Sequence, residues 1–138
     1  PLVTPEGWLS VDEKSMQHTK YKNVFGLGDV AQLPTAKTGA AIRKQAPVVV
    51  SNLLSMIENN TLTEDAYNGY SSCPLVTGYG KMVLAEFDYS KEFKPDPKLK
   101  GFPFFLSDSS KEHWRLWILK KYALPYLYWN KMMKGVRV

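Results

Sequence analysis

Three places in this sequence hold side chains that could do chemistry: a lone thiol, a carboxylate at a glycine turn, and the start of a helix. Cys73 is the single cysteine of the chain, and it follows two serines and precedes Pro74. A lone cysteine packs well as a small apolar residue and is a nucleophile once ionised, so a core reading and a catalytic reading both stand for it. Upstream, the run from Asn23 to Asp29 closes on Gly26-Leu27-Gly28-Asp29, the pattern of a buried strand that ends at a tight turn. Glycines there let the backbone approach a ligand, and a carboxylate accepts hydroxyl hydrogen bonds. Asp29 is equally suited to satisfying the amides of its own turn. Lys37, Thr38 and Gly39 stand where a helix begins, with Thr38 as a candidate N-cap and the helix end as a source of positive potential.

The elements that must position these groups follow from hydrophobic spacing. From Thr38 onward Ile42, Ala46, Val49, Val50, Leu53, Leu54 and Ile57 recur at three and four, which predicts a long helix with this stripe against a core. Pro47 is expected to kink it, because an interior proline lacks its N–H and crowds the preceding turn. Asn59 to Tyr70 is polar and ends the helical part, with Asn68-Gly69 as a turn signal. Cys73 to Thr77 and Lys81 to Asp88 flank Gly78-Tyr79-Gly80 and predict a β-hairpin. With Thr77 opposite Lys81, Cys73, Leu75, Val83, Ala85 and Phe87 share one face, read as an apolar wall. Residues 90 to 110, rich in proline and lysine, are expected to be an irregular connection.

The 138 residues carry 18 Lys and Arg against 13 Asp and Glu, with 44% hydrophobic residues, which excludes disorder as a reading of the whole chain. One cysteine excludes a disulfide scaffold and a cysteine-cluster zinc site, and His18 and His113 stand apart, so no metal site is expected. The apolar run from Tyr122 to Trp129 falls short of the roughly 20 residues that span a bilayer. The chain opens at Pro1 with no basic, apolar leader after it, and is read as a piece of a longer polypeptide.

The tail is different. From Lys111 on, seven cations stand against the single acid Glu112, a surplus larger than the net +5 of the chain, and Trp114, Trp117, Tyr122, Tyr126, Tyr128 and Trp129 lie among them. It shows no nucleic-acid motif, and its apolar residues are too contiguous for such a surface. A buried helix pair and an interfacial membrane contact both stand, with Trp114, Trp117, Tyr126 and Trp129 at headgroup depth and lysines meeting anionic lipid in the second reading.

The stretch from Asp29 through Pro34, Lys37-Thr38-Gly39 and Gln45-Ala46 resembles the second flavin-binding segment of the two-dinucleotide-domain flavoprotein reductases. Tyr67-Asn-Gly-Tyr70-Ser-Ser-Cys73-Pro-Leu-Val-Thr77-Gly, continuing to Leu84-Ala-Glu-Phe87-Asp-Tyr89, resembles the C-terminal part of the eukaryotic sulfide:quinone oxidoreductases. The resemblance runs from about Lys22 to Gly135. It implies the end of an α/β FAD reductase, α+β as a fragment, divided as residues 1–58 (end of the FAD domain), 59–110 (hairpin region with Cys73) and 111–138 (membrane-contact helices).

It further implies FAD as cofactor, with Gly28 among the residues that bind it, Asp29 at its ribityl chain and Lys37, Thr38 and Gly39 at the pyrimidine end of the ring, where positive potential favours the reduced flavin. Cys73 matches the C-terminal member of the family's cysteine pair, which oxidises hydrogen sulfide through a persulfide and hands sulfur to a small acceptor. Its thiolate form calls for nearby positive potential. Phe87 and then Tyr89 are the candidates for contact with ubiquinone, and ordinary core packing remains the other reading of Phe87. The implied location is the mitochondrial inner membrane, peripheral, on the matrix side. Two rivals stand: an NADH:quinone reductase on the same scaffold, and a non-catalytic membrane-docking fragment. By itself the fragment is expected to be inactive and to self-associate through apolar patches.

Overall fold

The computed structural model describes residues 1–94 and 109–136, and the prolines of the expected 90–110 connection lie outside these. The chain forms two compact units. One holds Pro1–Ser72 and Glu86–Lys94; the other holds Cys73–Ala85 together with the described residues from 109 to 136. As expected, the architecture mixes helix and strand.

In the first unit the opening residues form no extended ladder. Isolated bridges join Val3 to Leu9, Leu9 to Ala31, Val11 to His18 and Gln17 to Phe25. The strand expected over Asn23 to Asp29 is therefore reduced to the one bridge at Phe25, followed by a 3-10 turn over Gly28–Val30. His18 is structural: Nε2–H donates to the Leu2 carbonyl at 2.9 Å, and Nδ1 accepts from the N–H groups of Lys20 and Tyr21 at 2.9 and 3.2 Å.

Helix α1, Gly39–Asn59, runs through Pro47 as one element and ends at Asn60, whose positive φ of 54° terminates it. Its orientation differs from the expected one. Ala41, Gln45, Val48, Val49 and Asn52 are buried, whereas Ile42, Val50, Leu53, Leu54 and Ile57 are exposed. The reason lies in the two polar side chains on the inward face. Asn52 Nδ2 donates to the Ser15 carbonyl at 3.0 Å, and Asn52 Oδ1 accepts from the N–H and hydroxyl of Thr63, each at 2.9 Å. Gln45 Oε1 accepts from the Gly28 N–H at 2.7 Å. Residues 1–38 lack regular ladders, so their backbone groups need side-chain partners, and α1 supplies them. Val11, Met16, Ala31, Val48, Val49 and Tyr67 form the core of this unit.

The hairpin is present, with β1 as Ser71–Gly78 and β2 as Lys81–Phe87. On β2 the buried positions are Met82, Leu84 and Glu86. The alternate set, Val83, Ala85 and Phe87, is the more open one, and Cys73 and Leu75 on β1 are exposed, so the expected apolar wall faces outward. In the second unit Met82 and Leu84 pack with fully buried Leu116. A helical run there comprises α2 (Trp114–Ile118), a π turn (Leu119–Ala123) and α3 (Leu124–Asn130). Pro125 explains the π turn: in a regular helix its ring would press on the carbonyl of Lys121, and the wider turn makes room.

Candidate functional site

The residues expected at the flavin lie together in the first unit. Gly28 takes a φ of +72°, and a Cβ on it would come within 3.2 Å of Ile42 Cδ1, so the turn suits glycine on two counts. Asp29 follows in the 3-10 turn with its carboxylate exposed. Lys37 is not a freely solvated lysine. Its Nζ donates to the carbonyls of Asp29 and Ala31, and it lies 3.9 Å from the centroid of the Trp8 ring. The lysine thus pins the turn to the approach of α1, and Trp8, which carries no sequence signal for this role, forms part of the constellation.

Thr38 caps α1, its side-chain oxygen accepting from the Ala41 N–H at 3.2 Å. The N–H groups of Gly39 and Ala40 keep no partner among the described residues, and the position where Gly39 would carry a side chain is open space. A small concavity lies here, lined by Gly28, Leu33, Thr35, Lys37, Thr38 and Gln45 among others. The unit thus holds an exposed carboxylate at the glycine turn, a lysine tied to that turn's carbonyls and two open helix amides, which are the kinds of group that ribityl hydroxyls and an electron-rich ring edge call for, so these residues are chemically suited to a flavin. Gln45 holds the glycine turn against the helix. The search for apolar periodicity passes over it because it is polar.

Cys73 opens the second unit's part of β1 with an exposed thiol. The carbonyl of Pro74, next in the chain, accepts from Lys120 Nζ at 2.8 Å, which ties this strand to the π turn of the tail. Phe87 packs edge-on against Phe93, with centroids 6.3 Å apart. Tyr89 is built into its unit: its hydroxyl donates to the Glu13 carbonyl, and its ring meets Tyr67 edge-on at 5.7 Å. It also lies against Gly69, where a Cβ would come within 2.4 Å of its ring. Burial first, and then the phenol of Tyr67, push the Tyr89 phenol above its ordinary range.

Sequence reasoning missed one polar pair. Glu86 is 1% exposed, and its carboxylate accepts from the Tyr70 hydroxyl at 2.7 Å. Burial, followed by this bond and the glutamate's charge, raises the Tyr70 phenol well above the usual tyrosine value. Only the fold exposes the pair, because the signal is a charge at an inward strand position. Among the described residues no group of three or more His, Cys, Asp or Glu could hold a metal ion.

Most of the tail's aromatics are exposed. Trp114, Ile118, Tyr122, Tyr126, Tyr128 and Trp129 are open along the helical run, Trp129 by 65%, and Met133 is exposed just beyond it. Trp117 differs from the expected membrane contact: it packs against the Met82, Leu84 and Leu116 cluster and lies 5.6 Å from the Tyr79 ring. Leu116 beside it is fully buried. Among the described residues no helix is long and apolar enough to cross a membrane.

No protein-family model matches the chain. Curated relatives match nearly all of it. The mitochondrial sulfide:quinone oxidoreductase of Mus musculus is 43% identical over 98% of this chain, and that of Dictyostelium discoideum is 47% identical over 98%. The protein of the same name from Schizosaccharomyces pombe is 47% identical over 94%. The chain spans 28%, 28% and 27% of the length of these three relatives. Among solved structures, a chain of the Tetrahymena thermophila mitochondrial ATP synthase, from an F1Fo composite tetramer, is 40% identical with a TM-score of 0.64; the match covers 67% of this chain and 22% of that one. By sequence this chain takes its place among the mitochondrial sulfide:quinone oxidoreductases, as a stretch that matches their C-terminal portion.

Proposed function

We propose that the chain is the C-terminal part of an enzyme that oxidises hydrogen sulfide and reduces ubiquinone at the matrix side of the mitochondrial inner membrane. The observation that carries this reading is the match, over almost the whole chain, to relatives that bear that enzyme's name. FAD, when bound, supplies a two-electron acceptor. Toward it Asp29 offers a carboxylate for the ribityl hydroxyls, and the α1 start offers two amides for the ring, with Lys37, held on the Asp29 and Ala31 carbonyls, adding positive potential. Thr38 and Gln45 act as positioning residues, since one caps the helix and the other fixes the glycine turn.

Cys73 would hold sulfane sulfur as a persulfide, formed from its thiolate and hydrosulfide with loss of one proton and of the two electrons that bound FAD takes up, and a small nucleophile would then accept the outer sulfur and release the thiolate. Its exposed thiol suits exchange with a diffusible partner. Of the two aromatics considered for the quinone, Phe87 is the better supported, because the Tyr89 ring and hydroxyl are already engaged in their own unit. The exposed aromatic ridge of the tail lies at the bilayer surface, where tryptophan, tyrosine and lysine are favoured. The reading is tested by anaerobic sulfide titration of the full-length protein, followed through its visible flavin band, with Cys73→Ser in parallel. Bleaching is expected in the parent and not in the variant. Bleaching by NADH alone would overturn the substrate and leave the scaffold.

A second reading, a non-catalytic subunit of a larger mitochondrial assembly, is favoured by the match to a chain of the Tetrahymena ATP synthase structure. A full-length protein without flavin that co-sediments with a large complex would select it.

A further inference from the structure

The six residues that lead into Cys73 are held at nearly every step. Tyr67 is buried, and its hydroxyl donates to the Tyr70 carbonyl at 2.6 Å. The Tyr70 N–H donates to Asn68 Oδ1 at 3.2 Å, and the Asn68 carbonyl accepts from the Tyr89 N–H at 3.3 Å. Gly69, at a φ of +82°, leaves no room for a Cβ against Tyr89. Ser71 and Ser72 are buried, and the Ser72 side chain interacts with the Tyr70 phenol. The Tyr70 hydroxyl in turn donates to the buried Glu86 carboxylate at 2.7 Å. A buried carboxylate is costly to desolvate, and an apolar side chain would serve packing at least as well. What a charge-assisted hydrogen bond adds is a fixed length and direction, which apolar contact does not impose. Burial keeps the phenol above its ordinary range, so it remains a donor. All of these residues belong to the first unit, and next in the chain comes Cys73, whose thiol is exposed.

We propose that Tyr70 and Glu86 are positioning residues for Cys73, and that the bond between them holds residues 67–72 so that the thiolate is presented in one place. The inference rests on the persulfide reading above and adds the groups that aim its sulfur. Neither side chain needs to touch the sulfur or the flavin. Their effect is on placement: a reactive atom displaced by about 1 Å loses on the order of a hundredfold in rate. An exposed cysteine near the start of a strand has little packing of its own to hold it, so its aim depends on the backbone that precedes it.

The test reads the two half-reactions of the full-length protein separately, without oxygen. One is the bleaching of its visible flavin band by saturating sulfide; the other is the return of that band when chemically reduced protein is mixed with a short-chain ubiquinone. Tyr70→Phe and Glu86→Leu are expected to slow the first at least about tenfold and to leave the second within about twofold of the parent. Glu86→Gln, which keeps an acceptor oxygen for the phenol in nearly the same volume, is expected to recover the first to within about threefold. Tyr70→Phe at the parent rate overturns the proposal, and so does equal slowing of both half-reactions, which marks a purely structural role. Glu86→Gln as slow as Glu86→Leu overturns it too, because the charge rather than the bond is then at work. A parent that sulfide does not bleach overturns the persulfide reading itself, and amide hydrogen exchange, which needs no substrate, then judges the brace. Tyr70→Phe is expected to speed exchange at Ser72 and Cys73 at least about tenfold while α1 keeps its protection. Unaltered exchange at those two residues overturns the proposal.

Discussion

Replacing Asn52 by alanine should destabilise this chain more than replacing any leucine of the outward ridge. Asn52 is fully buried and makes three hydrogen bonds, at 3.0, 2.9 and 2.9 Å. Each such bond contributes about 1 kcal/mol net, so Asn52→Ala should cost about 3 kcal/mol, and more if the Ser15 carbonyl or the Thr63 N–H is left dry. The better helix propensity of alanine returns about 0.6 kcal/mol at most. Leu54→Ala removes a half-exposed side chain and should cost less than about 0.5 kcal/mol in this chain. Were the ridge packed inward, the same change would cost about 2–5 kcal/mol, and Asn52 would be a surface residue of little consequence. Urea unfolding followed by far-ultraviolet circular dichroism separates the two cases. With a slope of about 2 kcal/mol per molar urea, the net loss should lower the midpoint for Asn52→Ala by about 1.2 M. A larger drop for Leu54→Ala than for Asn52→Ala would refute the orientation of α1.

Stability should fall at alkaline pH: Tyr67, Tyr70 and Tyr89 all have phenols raised above their ordinary value, chiefly by burial. Their contribution is intact below the unfolded tyrosine pKa of about 10 and is lost as pH rises through the folded values, because the unfolded chain releases those protons first. The urea midpoint should therefore hold between neutrality and about pH 10 and then decline. The decline should be shallower in Tyr70→Phe. In the tail, Trp114→Ala and Trp129→Ala should weaken sedimentation with anionic vesicles while leaving the melting temperature unchanged, whereas Trp117→Ala should cost about 2 kcal/mol because it opens space beside Leu116. Thr38→Val removes the cap of α1 and should cost about 1 kcal/mol, measured by thermal melting.

How far the sequence could be read differed from element to element. Helix α1 was legible in length and in both ends, because Thr38 is a capping residue and the polar run from Asn59 breaks the apolar spacing. The hairpin was legible from its glycine-bearing turn between two β-prone runs. Which face each element buries was not. Periodicity counts apolar residues and cannot see that Gln45 and Asn52 are required inside as partners for loop backbone. Nor could it show that Met82 and Leu84, rather than Val83 and Ala85, meet Leu116.

Residue order was enough to show the chemistry on offer: one thiol, a glycine-aspartate turn before a capped helix, a basic aromatic tail, and the resemblance that its relatives bear out. These are properties of residue type and local spacing, which a linear pattern carries in full. Tertiary structure alone decided that Lys37 folds back onto Trp8 and two carbonyls, that Trp117 turns inward while Trp114 and Trp129 stay out, and that α1 keeps its apolar ridge exposed. Each depends on contacts between residues distant in sequence, where a hydrogen bond owed to a buried backbone group outweighs the burial of a few methyl groups.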